Sequence, residues 1–587
     1  PVRDYFGHAF WQTDELGQGR AFYRPLTILS LAIDHELYGD GAGGYHLSNL
    51  LLHLLSTVLL FRLLRVRGAS SHAATLGAAL WSLHPRLTEA VAWISGRTDV
   101  LATFFVLGAL LVQARPTLLR RLACALLLFF GLLCKEVALA GVAAVLVLEL
   151  GTTGSWSARA RRALPTLLAF VAYSILRVHA SGIASARSVP LGTLLLRATA
   201  ALGQYFVMFL VPWWPNTQIG QLSTPRTGYA VLGCALLLGL CALLIRARKR
   251  LRPESWSALT LGGVGLGVVL HVVPFSINVV AADRFLYLPL VGLALLLTPA
   301  AVALEGAKIK VLACACALVS LSFAVATFER AKAWADELEL WTKTYRDNPE
   351  NEFLACAQLG RLYVHARLFS YALSLYQGCS AVTPVRRFVL LNNGASVLAR
   401  TGRYREALTL LNGLDEVAQR TPLVALNQAL FSTYLNDFAG ARAALARALL
   451  ADPKSERGLL FQQQLPALER ARQQLDALPN DTPAVERARQ LQSLGLTAEA
   501  VRTWQSALAS GALASAQFRE GVEFVLEQAD AATVEALHRD YSTYFAQPAN
   551  ASLEAAYSEQ RRSSQRLLSA WPSLGLPLLA LSARVGS

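Results

Sequence analysis

Up to Phe328 the chain alternates between long apolar runs and short polar stretches, whereas the remainder is charged and mixed in hydropathy. A helix crosses a bilayer with about 20 apolar residues, and several of the runs are shorter than that. The apolar runs lie near residues 46–63, 73–84, 98–114, 121–133, 137–150, 163–180, 198–212, 229–245, 256–274, 286–304 and 310–327. We therefore predict an all-α protein in which a polytopic membrane domain precedes a soluble helical domain.

Short basic clusters separate many of these runs and predict the orientation of the chain in the membrane. Clusters of this kind favour the cytoplasmic side. They lie at residues 62–67, 115–121, 159–162, 246–252 and 308–310. The predicted domains are an extracytoplasmic loop over 1–45, a membrane domain over 46–328 and an extracytoplasmic repeat domain over 329–587. This assignment requires the segment 190–215 to be re-entrant or interfacial, in keeping with the Val211-Pro212-Trp213-Trp214-Pro215 sequence that follows its apolar run.

The soluble part carries a period of about 34 residues, which is typical of tetratricopeptide repeats (TPRs). Ala372, Ala407 and Ala441 recur at this period, and a proline follows the first and the last of them at the same distance. The region 454–484 is expected to be helical without holding this period. Arrays of such repeats form a concave surface that binds protein segments, and the alternative interpretation is a structural spacer.

Composition excludes several classes of function. Hydrophobic residues make up 54% of the chain, and the net charge of +15 lies largely in the short clusters between apolar runs, so no nucleic-acid partner is expected. No dinucleotide-binding glycine motif, Walker loop, nucleophile elbow or zinc-protease helix is present. Cys356 and Cys379 lie in the soluble part, where a disulfide is compatible with the sequence but not required by it.

The stretch from His84 to Asp99 contains ionisable groups between two membrane-length apolar runs. Such groups are costly in a bilayer and normally face a cavity or an aqueous surface, where they often carry function. Glu89 is a candidate base or ligand, and Arg97 and Asp99 are candidates for pairing with each other or for holding a phosphate and an acceptor hydroxyl. A salt-bridged loop is the alternative.

Three further polar motifs fall on the same predicted extracytoplasmic side. Lys135 could neutralise a lipid phosphate while Glu136 holds the lysine in place, and a buried ion pair is the alternative. Asp283-Arg284, with Tyr287, opens a later apolar run, and the same two interpretations apply. Arg24 precedes the first run, as either a phosphate ligand or an interfacial anchor.

His46, Asn49 and His53 are spaced by three and four positions and share one helical face. Two histidines at this separation approach one metal ion only with a further ligand, and none lies at a suitable spacing. We predict that these side chains make hydrogen bonds between helices, and we predict no metal site.

Taken in order, these motifs resemble the transmembrane-and-TPR O-mannosyltransferase (TMTC) family, within the C-type glycosyltransferase superfamily. The matching pieces are Tyr23-Arg24-Pro25-Leu26-Thr27, Tyr45 to His53, His84-Pro85, Thr88 to Ala92, Gly96-Arg97 with Asp99, Lys135-Glu136 and Asp283 to Pro289. Leu340-Trp341, Asn348-Pro349 and the repeats follow in the same order. The resemblance covers nearly the whole chain.

The resemblance implies transfer of mannose, or a similar hexose, from a polyprenyl-phosphate donor to a protein hydroxyl at the extracytoplasmic face. Glu89 and Asp99 are then candidate catalytic carboxylates, with Arg24, Arg97, Lys135 and Arg284 as candidate ligands of the donor phosphate. The supporting residues would be His84, Glu136, Asp283, Tyr287, His46 and Asn49. The only cofactor implied is the lipid-linked sugar itself, and the partners are membrane lipid and a protein or peptide acceptor recruited by the repeats.

Composition rich in leucine, alanine and arginine suggests a bacterial source, with an undecaprenyl-type donor and the repeats in the periplasm. A eukaryotic source would place them in the lumen of the endoplasmic reticulum. Family members carry an acidic motif after their first membrane helix, whereas this chain reads Ala9-Phe10-Trp11 at the corresponding place. We therefore expect the preceding helix and the main acidic base to lie upstream of Pro1. The alternative function is a non-catalytic, membrane-anchored TPR scaffold that binds proteins.

Overall fold

The computed structural model describes residues 22–114, 117–181, 190–213, 227–270, 281–302, 307–347, 352–379, 384–419, 421–453 and 455–574. Nearly all of these residues are helical, as the hydropathy pattern predicts. The chain divides into two compact units, with Leu340 in unit 1 and Trp341 in unit 2. Residues 1–21 of the predicted N-terminal loop lie outside the described residues.

Unit 1 contains one helix for each of the eleven predicted apolar runs, and these helices surround a shared apolar core. They are α2 (Ala42–Val66), α3 (Ser71–Ser82), α5 (Arg97–Gln113), α6 (Leu118–Cys134), α7 (Leu139–Leu150), α8 (Trp156–Ser181), α9 (Leu191–Leu210), α10 (Thr227–Ala247), α11 (Pro253–Val269), α12 (Pro289–Val302) and α13 (Ala307–Trp334). A short helix, α4 (Thr88–Ala92), lies between α3 and α5.

A further helix, α1 (Pro25–Tyr38), falls inside the segment 1–45 that was expected to be a loop. Pro25 occupies its first turn, where a missing backbone N–H costs nothing and the fixed φ suits a helix. Gly39 follows its last residue with φ 59° and ψ −136°, a conformation that glycine adopts far more readily than other residues. The proline and glycine therefore delimit this helix.

Six helices of unit 1 are long and apolar enough to cross a membrane, which fits an integral, multi-pass membrane protein. These spans are Ala42–Val66, Ile94–Gln113, Trp156–Ala180, Leu191–Leu210, Thr227–Ala247 and Lys310–Trp334. Several of them leave most of their apolar side chains exposed on the protein, as a surface in contact with lipid tails would.

The polar loops gather at one end of the unit 1 helices and the basic clusters at the other. At the basic end, Arg121 Nε lies 2.9 Å from Glu149 Oε1, and an Arg67 guanidinium nitrogen donates to the backbone oxygen of Glu254 at 3.4 Å. The opposite end, formed by residues 84–97, 134–138 and 281–288, is called the polar face below. This separation agrees with the predicted grouping of the loops.

The segment 190–215 was expected to be re-entrant or interfacial. Its described part contains α9, a continuous helix that is long enough to cross. Arg177 near the end of α8 lies 3.6 Å from Glu136, and Phe209 near the end of α9 accepts a hydrogen bond from His84. The later parts of the consecutive helices α8 and α9 thus both lie near the polar face. Residues 214 and 215 lie outside the described residues.

Unit 2 opens with helices that pair at the predicted period. They are α15 (Glu352–His365), α16 (Phe369–Gly378), α17 (Pro384–Arg400), α18 (Tyr404–Asn412), α20 (Pro422–Tyr434) and α21 (Phe438–Ala451), preceded by α14 (Glu337–Asp347) and with α19 (Glu416–Gln419) between the second and third pairs. Ala372, Ala407 and Ala441 are fully buried. The residues Arg367, Gly402 and Asn436, one in the turn of each pair, have left-handed φ values of 61°, 78° and 65°. These three residues recur at the same period as the three alanines, which confirms three TPR-like repeats.

Beyond the third repeat the chain folds back against these turns. The later helices are α22 (Glu456–Asp476), α23 (Ala484–Ser493), α24 (Thr497–Ala509), α25 (Ser515–Gln528), α26 (Ala531–Asp540), α27 (Ser542–Phe545) and α28 (Ala551–Ala570). Arg367 Nη1 donates to the backbone oxygen of Leu526 at 2.7 Å, and Asn436 Nδ2 donates to Asp476 at 3.3 Å. The long helix α22 is the predicted helical region that does not hold the period.

A disulfide joins Cys356 in α15 to Cys379 directly after α16, within the first repeat. The sequence analysis did not decide whether these two cysteines form a disulfide. Disulfides persist in oxidising compartments and are rare in the cytosol. The crosslink is therefore compatible with an extracytoplasmic unit 2.

Replacement of Gly402 by alanine is expected to destabilise unit 2 by about 2 kcal/mol, because the substitution adds a strained φ and a steric contact. A Cβ atom at this position would lie 2.9 Å from Ala498 Cβ in α24. Gly511 has a similar φ of 67° with nothing within 4 Å, so Gly511→Ala measures the strain alone, about 1 kcal/mol. Equal shifts of the two variants in chemical denaturation would contradict the docking of α24 on this turn.

Candidate active site at the polar face

The polar face is built where short turns interrupt apolar helices. Pro85 starts a 3-10 turn after α3, and the residues up to Gly96 form α4 and a second such turn. Between α6 and α7, Lys135 is extended, with φ −163° and ψ 146°. Glu136 begins a 3-10 turn, so the backbone conformation changes between the two residues and their side chains face different neighbours. Asp283 and Arg284 begin a third turn before α12.

Asp283 and Arg86 are the most deeply buried charges of the network, and Arg330 is the second arginine partner of Asp283. Arg86 Nη1 lies 3.1 Å from Asp283 Oδ1, and Arg330, near the end of α13, pairs with the other carboxylate oxygen. The side chains of Arg86 and Asp283 are fully enclosed. Groups with this burial hold the turn in place, because removing one charge would leave the others without their counter-charge in an apolar surround.

Glu89 and Arg284 form the second pair. One oxygen of Glu89 accepts the backbone N–H of Arg284 at 3.0 Å, and the other accepts from the guanidinium of the same residue. The guanidinium carbon lies 5.1 Å from the centre of the Trp93 ring and 4.8 Å from that of Phe285. Arg284 remains 14% exposed while Glu89 is buried, so the cation is the accessible member of the pair.

Lys135 and Asp99 form the third pair, with Nζ 2.5 Å from Oδ2. Lys135 Nζ also lies 5.2 Å from the centre of the Phe285 ring, so the two cations Lys135 and Arg284 approach the same ring. Lys135 lies in the turn between two helices, where burial lowers its pKa and the Asp99 carboxylate opposes that shift. An anion bound beside Lys135 would favour its charged form in the same way.

Glu136 lies between two guanidiniums from different helices. Arg24, which precedes the first residue of α1, is 2.9 Å from Glu136 Oε2, and Arg177 of α8 is 3.6 Å from Oε1. All three side chains are partly exposed. Glu136 thus holds arginines, whereas the sequence analysis had proposed that it holds the neighbouring lysine.

Arg97 belongs to a separate, enclosed set of contacts. Its guanidinium pairs with Asp34 of α1 at 2.5 Å, with the Asn49 side chain and with the backbone oxygen of Tyr45 at 3.0 Å. Asn49 Nδ2 in turn donates to the backbone oxygens of Val91 and Trp93, both at 3.1 Å. Arg97 therefore ties α1 and α2 to the turn after α4, and the pairing with Asp99 that had been considered is not formed.

Two histidines fix the backbone around the site. His84 Nδ1 accepts the backbone N–H of Arg86 at 3.3 Å, so Nε2 carries the proton and donates to Phe209. His84 lies in the turn after α3, and burial lowers its pKa and keeps the ring neutral. His53 accepts the Tyr287 hydroxyl at 2.7 Å and donates to the backbone oxygen of Ser82 at 3.1 Å. Tyr287 thus anchors the turn that carries Asp283 and Arg284.

The structure brings most of the predicted site residues together, but in different pairs. Arg24, His84, Glu89, Asp99, Lys135, Glu136, Asp283, Arg284 and Tyr287 all lie at the polar face, and Arg97 and Asn49 lie directly behind it. His46, by contrast, is exposed on α2, although Asn49 and His53 on the same helix are buried and bond across helices as predicted.

Four charged residues of the network were missed by the sequence analysis: Asp34, Arg86, Arg177 and Arg330. Arg86 lies inside the polar stretch that was singled out, so its position was available as a signal. Arg177 and Arg330 lie near the ends of apolar helices, where an arginine usually anchors the helix at the membrane surface. Their partners lie in distant parts of the chain, where no local pattern connects them.

The network that the structure describes carries more positive than negative charge. Among the described residues, seven cationic side chains face five carboxylates across these pairs. The cations are Arg24, Arg86, Arg97, Lys135, Arg177, Arg284 and Arg330, and the carboxylates are Asp34, Glu89, Asp99, Glu136 and Asp283. Among the residues that the structure describes, no group of three or more His, Cys, Asp or Glu side chains is placed to hold a metal ion.

Curated proteins with the predicted activity are similar to this chain. A Caenorhabditis elegans protein O-mannosyl-transferase is 23% identical over 377 residues, which are 60% of this chain and 52% of the worm protein. The Drosophila melanogaster protein O-mannosyl-transferases Tmtc1 and Tmtc2 are 33% and 35% identical over 144 and 151 residues. The chain is similar to the TMTC protein O-mannosyl-transferases. The predicted resemblance to that family is thereby confirmed.

The extent of the match to the TMTC proteins is limited. The chain spans about half the length of the worm relative, and the matches to the two fly proteins cover 24% of this chain and 17% and 16% of those proteins. No family model and no solved structure matches the chain. These TMTC relatives come from animals, and they give no support to the bacterial source suggested by composition.

Asp283→Asn is expected to lower the free energy of unfolding by about 3–5 kcal/mol, because it removes the counter-charge of two buried arginines. Glu329→Gln is the matched control, since it removes one member of the exposed Glu329–Lys332 pair in the same unit and is expected to cost less than about 1 kcal/mol. Thermal and denaturant unfolding in detergent would measure both. Similar losses for the two variants would show that Asp283 does not have the structural role assigned to it.

Proposed function

We propose that this chain is a membrane glycosyltransferase that moves a mannose, or a similar hexose, from a polyprenyl-phosphate donor to a hydroxyl group of a protein. The names of the curated relatives support glycosyl transfer to proteins. One observation carries the proposal. Three cations that the sequence analysis proposed as phosphate ligands lie at the polar face, although they come from distant parts of the chain: Arg24, Lys135 and Arg284.

The proposed site binds the donor through its phosphate. Lys135 and Arg284 approach the same ring of Phe285, and Arg284 and Arg24 are partly exposed. Guanidinium and ammonium groups held in advance at fixed positions stabilise a phosphate whose charge grows as it leaves the sugar. The lipid chain would lie along the apolar helices that surround the face.

Glu89 and Asp99 act in this proposal by holding these cations in place. Both oxygens of Glu89 accept hydrogen bonds from Arg284, and Asp99 accepts one from Lys135. Each carboxylate is thus already engaged by a cation of the site, Glu89 through both oxygens and Asp99 through Oδ2. We therefore assign Glu89 and Asp99 to orienting the donor site and not to removal of the acceptor proton.

Trp93 is the exposed aromatic ring next to Arg284, with 38% of its surface accessible. An aromatic ring beside a cationic phosphate ligand offers an apolar surface for the sugar ring or the first part of the lipid. We include Trp93 in the donor site on this ground. The repeats of unit 2 are proposed to recruit the protein acceptor, as arrays of this kind commonly do.

The transfer reaction is the direct test. Full-length protein in lipid nanodiscs would receive radiolabelled polyprenyl-phosphate mannose and a mixed protein acceptor. Lys135→Ala is expected to lower the turnover number about 100-fold or more, the usual effect of removing one preorganised charge from a transition state. Glu89→Gln is expected to lower it less, because Arg284 keeps its contacts with the aromatic rings.

Lys332→Gln is the control for this experiment, because its side chain is about half exposed and forms a surface ion pair with Glu329 on the same helix. It should leave transfer unchanged. Transfer that survives in both site variants would remove Lys135 and Glu89 from the site while keeping the enzyme. A folded wild-type protein that transfers no sugar from any of several polyprenyl-linked donors would favour the non-catalytic scaffold instead.

We also propose that unit 2 is extracytoplasmic, supported by the Cys356–Cys379 disulfide. In protein isolated from its native membrane and then denatured, these two cysteines are expected to resist a thiol-alkylating reagent until a reductant is added. Mass spectrometry of the alkylated peptides would measure this, with the free Cys234 of α10 as the thiol that reacts without reduction. Alkylation of Cys356 and Cys379 without reductant would place unit 2 in a reducing compartment.

A further inference from the structure

Arg177 is a cation of the polar face that no sequence motif indicates. It lies near the end of α8, where its Nη1 is 3.6 Å from Glu136 Oε1 and donates to the Tyr173 hydroxyl at 3.4 Å. Arg24 contacts the other oxygen of the same carboxylate at 2.9 Å. One carboxylate thus contacts two guanidiniums from distant parts of the chain, Arg24 before α1 and Arg177 in α8.

Exposure distinguishes Arg177 from Arg97, the arginine predicted to bind phosphate. The Arg97 side chain is 2% exposed and is enclosed by Asp34, Asn49 and a backbone oxygen, so no ligand reaches it without displacing these groups. The Arg177 side chain is 24% exposed and that of Arg24 is 12% exposed. Arg177 therefore has the accessible surface that a phosphate ligand requires and Arg97 does not.

Arg24 and Arg177 lie close to Lys135, which is already proposed as a ligand of the donor phosphate. Glu136 follows Lys135 directly, and consecutive Cα atoms lie about 3.8 Å apart. The Lys135 side chain pairs with Asp99, and the Glu136 side chain pairs with Arg24 and Arg177. A phosphate bound at the two arginines would therefore lie near the turn that carries Lys135.

We propose that Arg177, together with Arg24, binds the phosphate of the polyprenyl donor and takes the role predicted for Arg97. This inference rests on the proposed function. In the reaction, the bond from the sugar C1 to the phosphate oxygen breaks, the bond from C1 to the acceptor oxygen forms, and the acceptor proton passes to a base. The phosphate changes from a monoanionic diester to a monoester with a second negative charge, so guanidiniums fixed beside it stabilise the leaving group more than the donor.

The test measures binding, so that it does not depend on turnover. Full-length protein in nanodiscs of neutral phosphatidylcholine would be titrated with polyprenyl phosphate, with polyprenol and with inorganic phosphate. Arg177→Gln is expected to weaken the binding of polyprenyl phosphate by about tenfold to a hundredfold, the range for loss of one charged hydrogen-bond donor, and to leave polyprenol binding unchanged. Arg177→Lys is expected to recover part of the loss, because it restores the charge without the planar geometry.

Arg161→Gln is the matched control, since Arg161 is exposed at the other end of the same helix, and it should change none of these affinities. Unchanged affinity for polyprenyl phosphate in Arg177→Gln would overturn the proposal. An equal loss for polyprenol would overturn it as well, because it would show a structural role. Binding of inorganic phosphate as tight as that of polyprenyl phosphate, or equal competition by phosphatidylglycerol, would show a general anion site and overturn the assignment to the donor. If the protein binds polyprenyl phosphate specifically but transfers no sugar, the phosphate site is supported and the proposed function is wrong.

Discussion

Charge pairing inside an apolar helical unit is the constraint on which the polar face depends. A charged group removed from water must find a counter-charge with good geometry, because its desolvation costs several kcal/mol. Asp283, which is fully enclosed, meets this requirement with two arginines from α13 and from the turn after α3. Each such pair joins elements that are distant in the chain, so the same contacts that neutralise the charges also fix the turns between the helices.

The pairs fall into two groups that differ in burial, and this difference separates structure from chemistry. Arg86 with Asp283 and Arg97 with Asp34 are enclosed and connect helices. Arg284, Arg24 and Arg177 keep part of their surface open while a carboxylate holds each of them. A cation held in this way is preorganised for an anion, since its position is fixed before the ligand arrives. The enclosed group makes this possible by anchoring the turns on which the open group lies.

Hydropathy predicted the helices of unit 1 because eleven apolar runs have only one way to satisfy their backbone groups in a membrane. The same reasoning placed Lys135, Glu89 and Arg284 at one face, since charges between apolar runs collect where water begins. It did not predict the pairing, because the backbone changes from extended at Lys135 to a 3-10 turn at Glu136, and the two side chains find their partners in other parts of the chain. Arg177 and Arg330 were missed because an arginine near the end of an apolar helix is usually explained as an anchor at the membrane surface. The sequence gives no sign that each of them pairs with a carboxylate in a distant part of the chain.

In unit 2 the period predicted an array of repeats whose surface could bind a partner. The later helices pack against one edge of this array, and this packing reduces the surface that a partner can reach. A left-handed residue such as Arg367 turns the backbone so that the carbonyl oxygens of Ala366 and Arg367 become available, and Ser564 Oγ and the backbone N–H of Ala531 donate to them at 3.1 and 3.2 Å. The edge of the array formed by these turns is therefore occupied by the chain itself. An acceptor segment recruited by the repeats, as proposed, must bind to a surface away from that edge, and a variant that loosens the edge should alter stability before it alters recruitment.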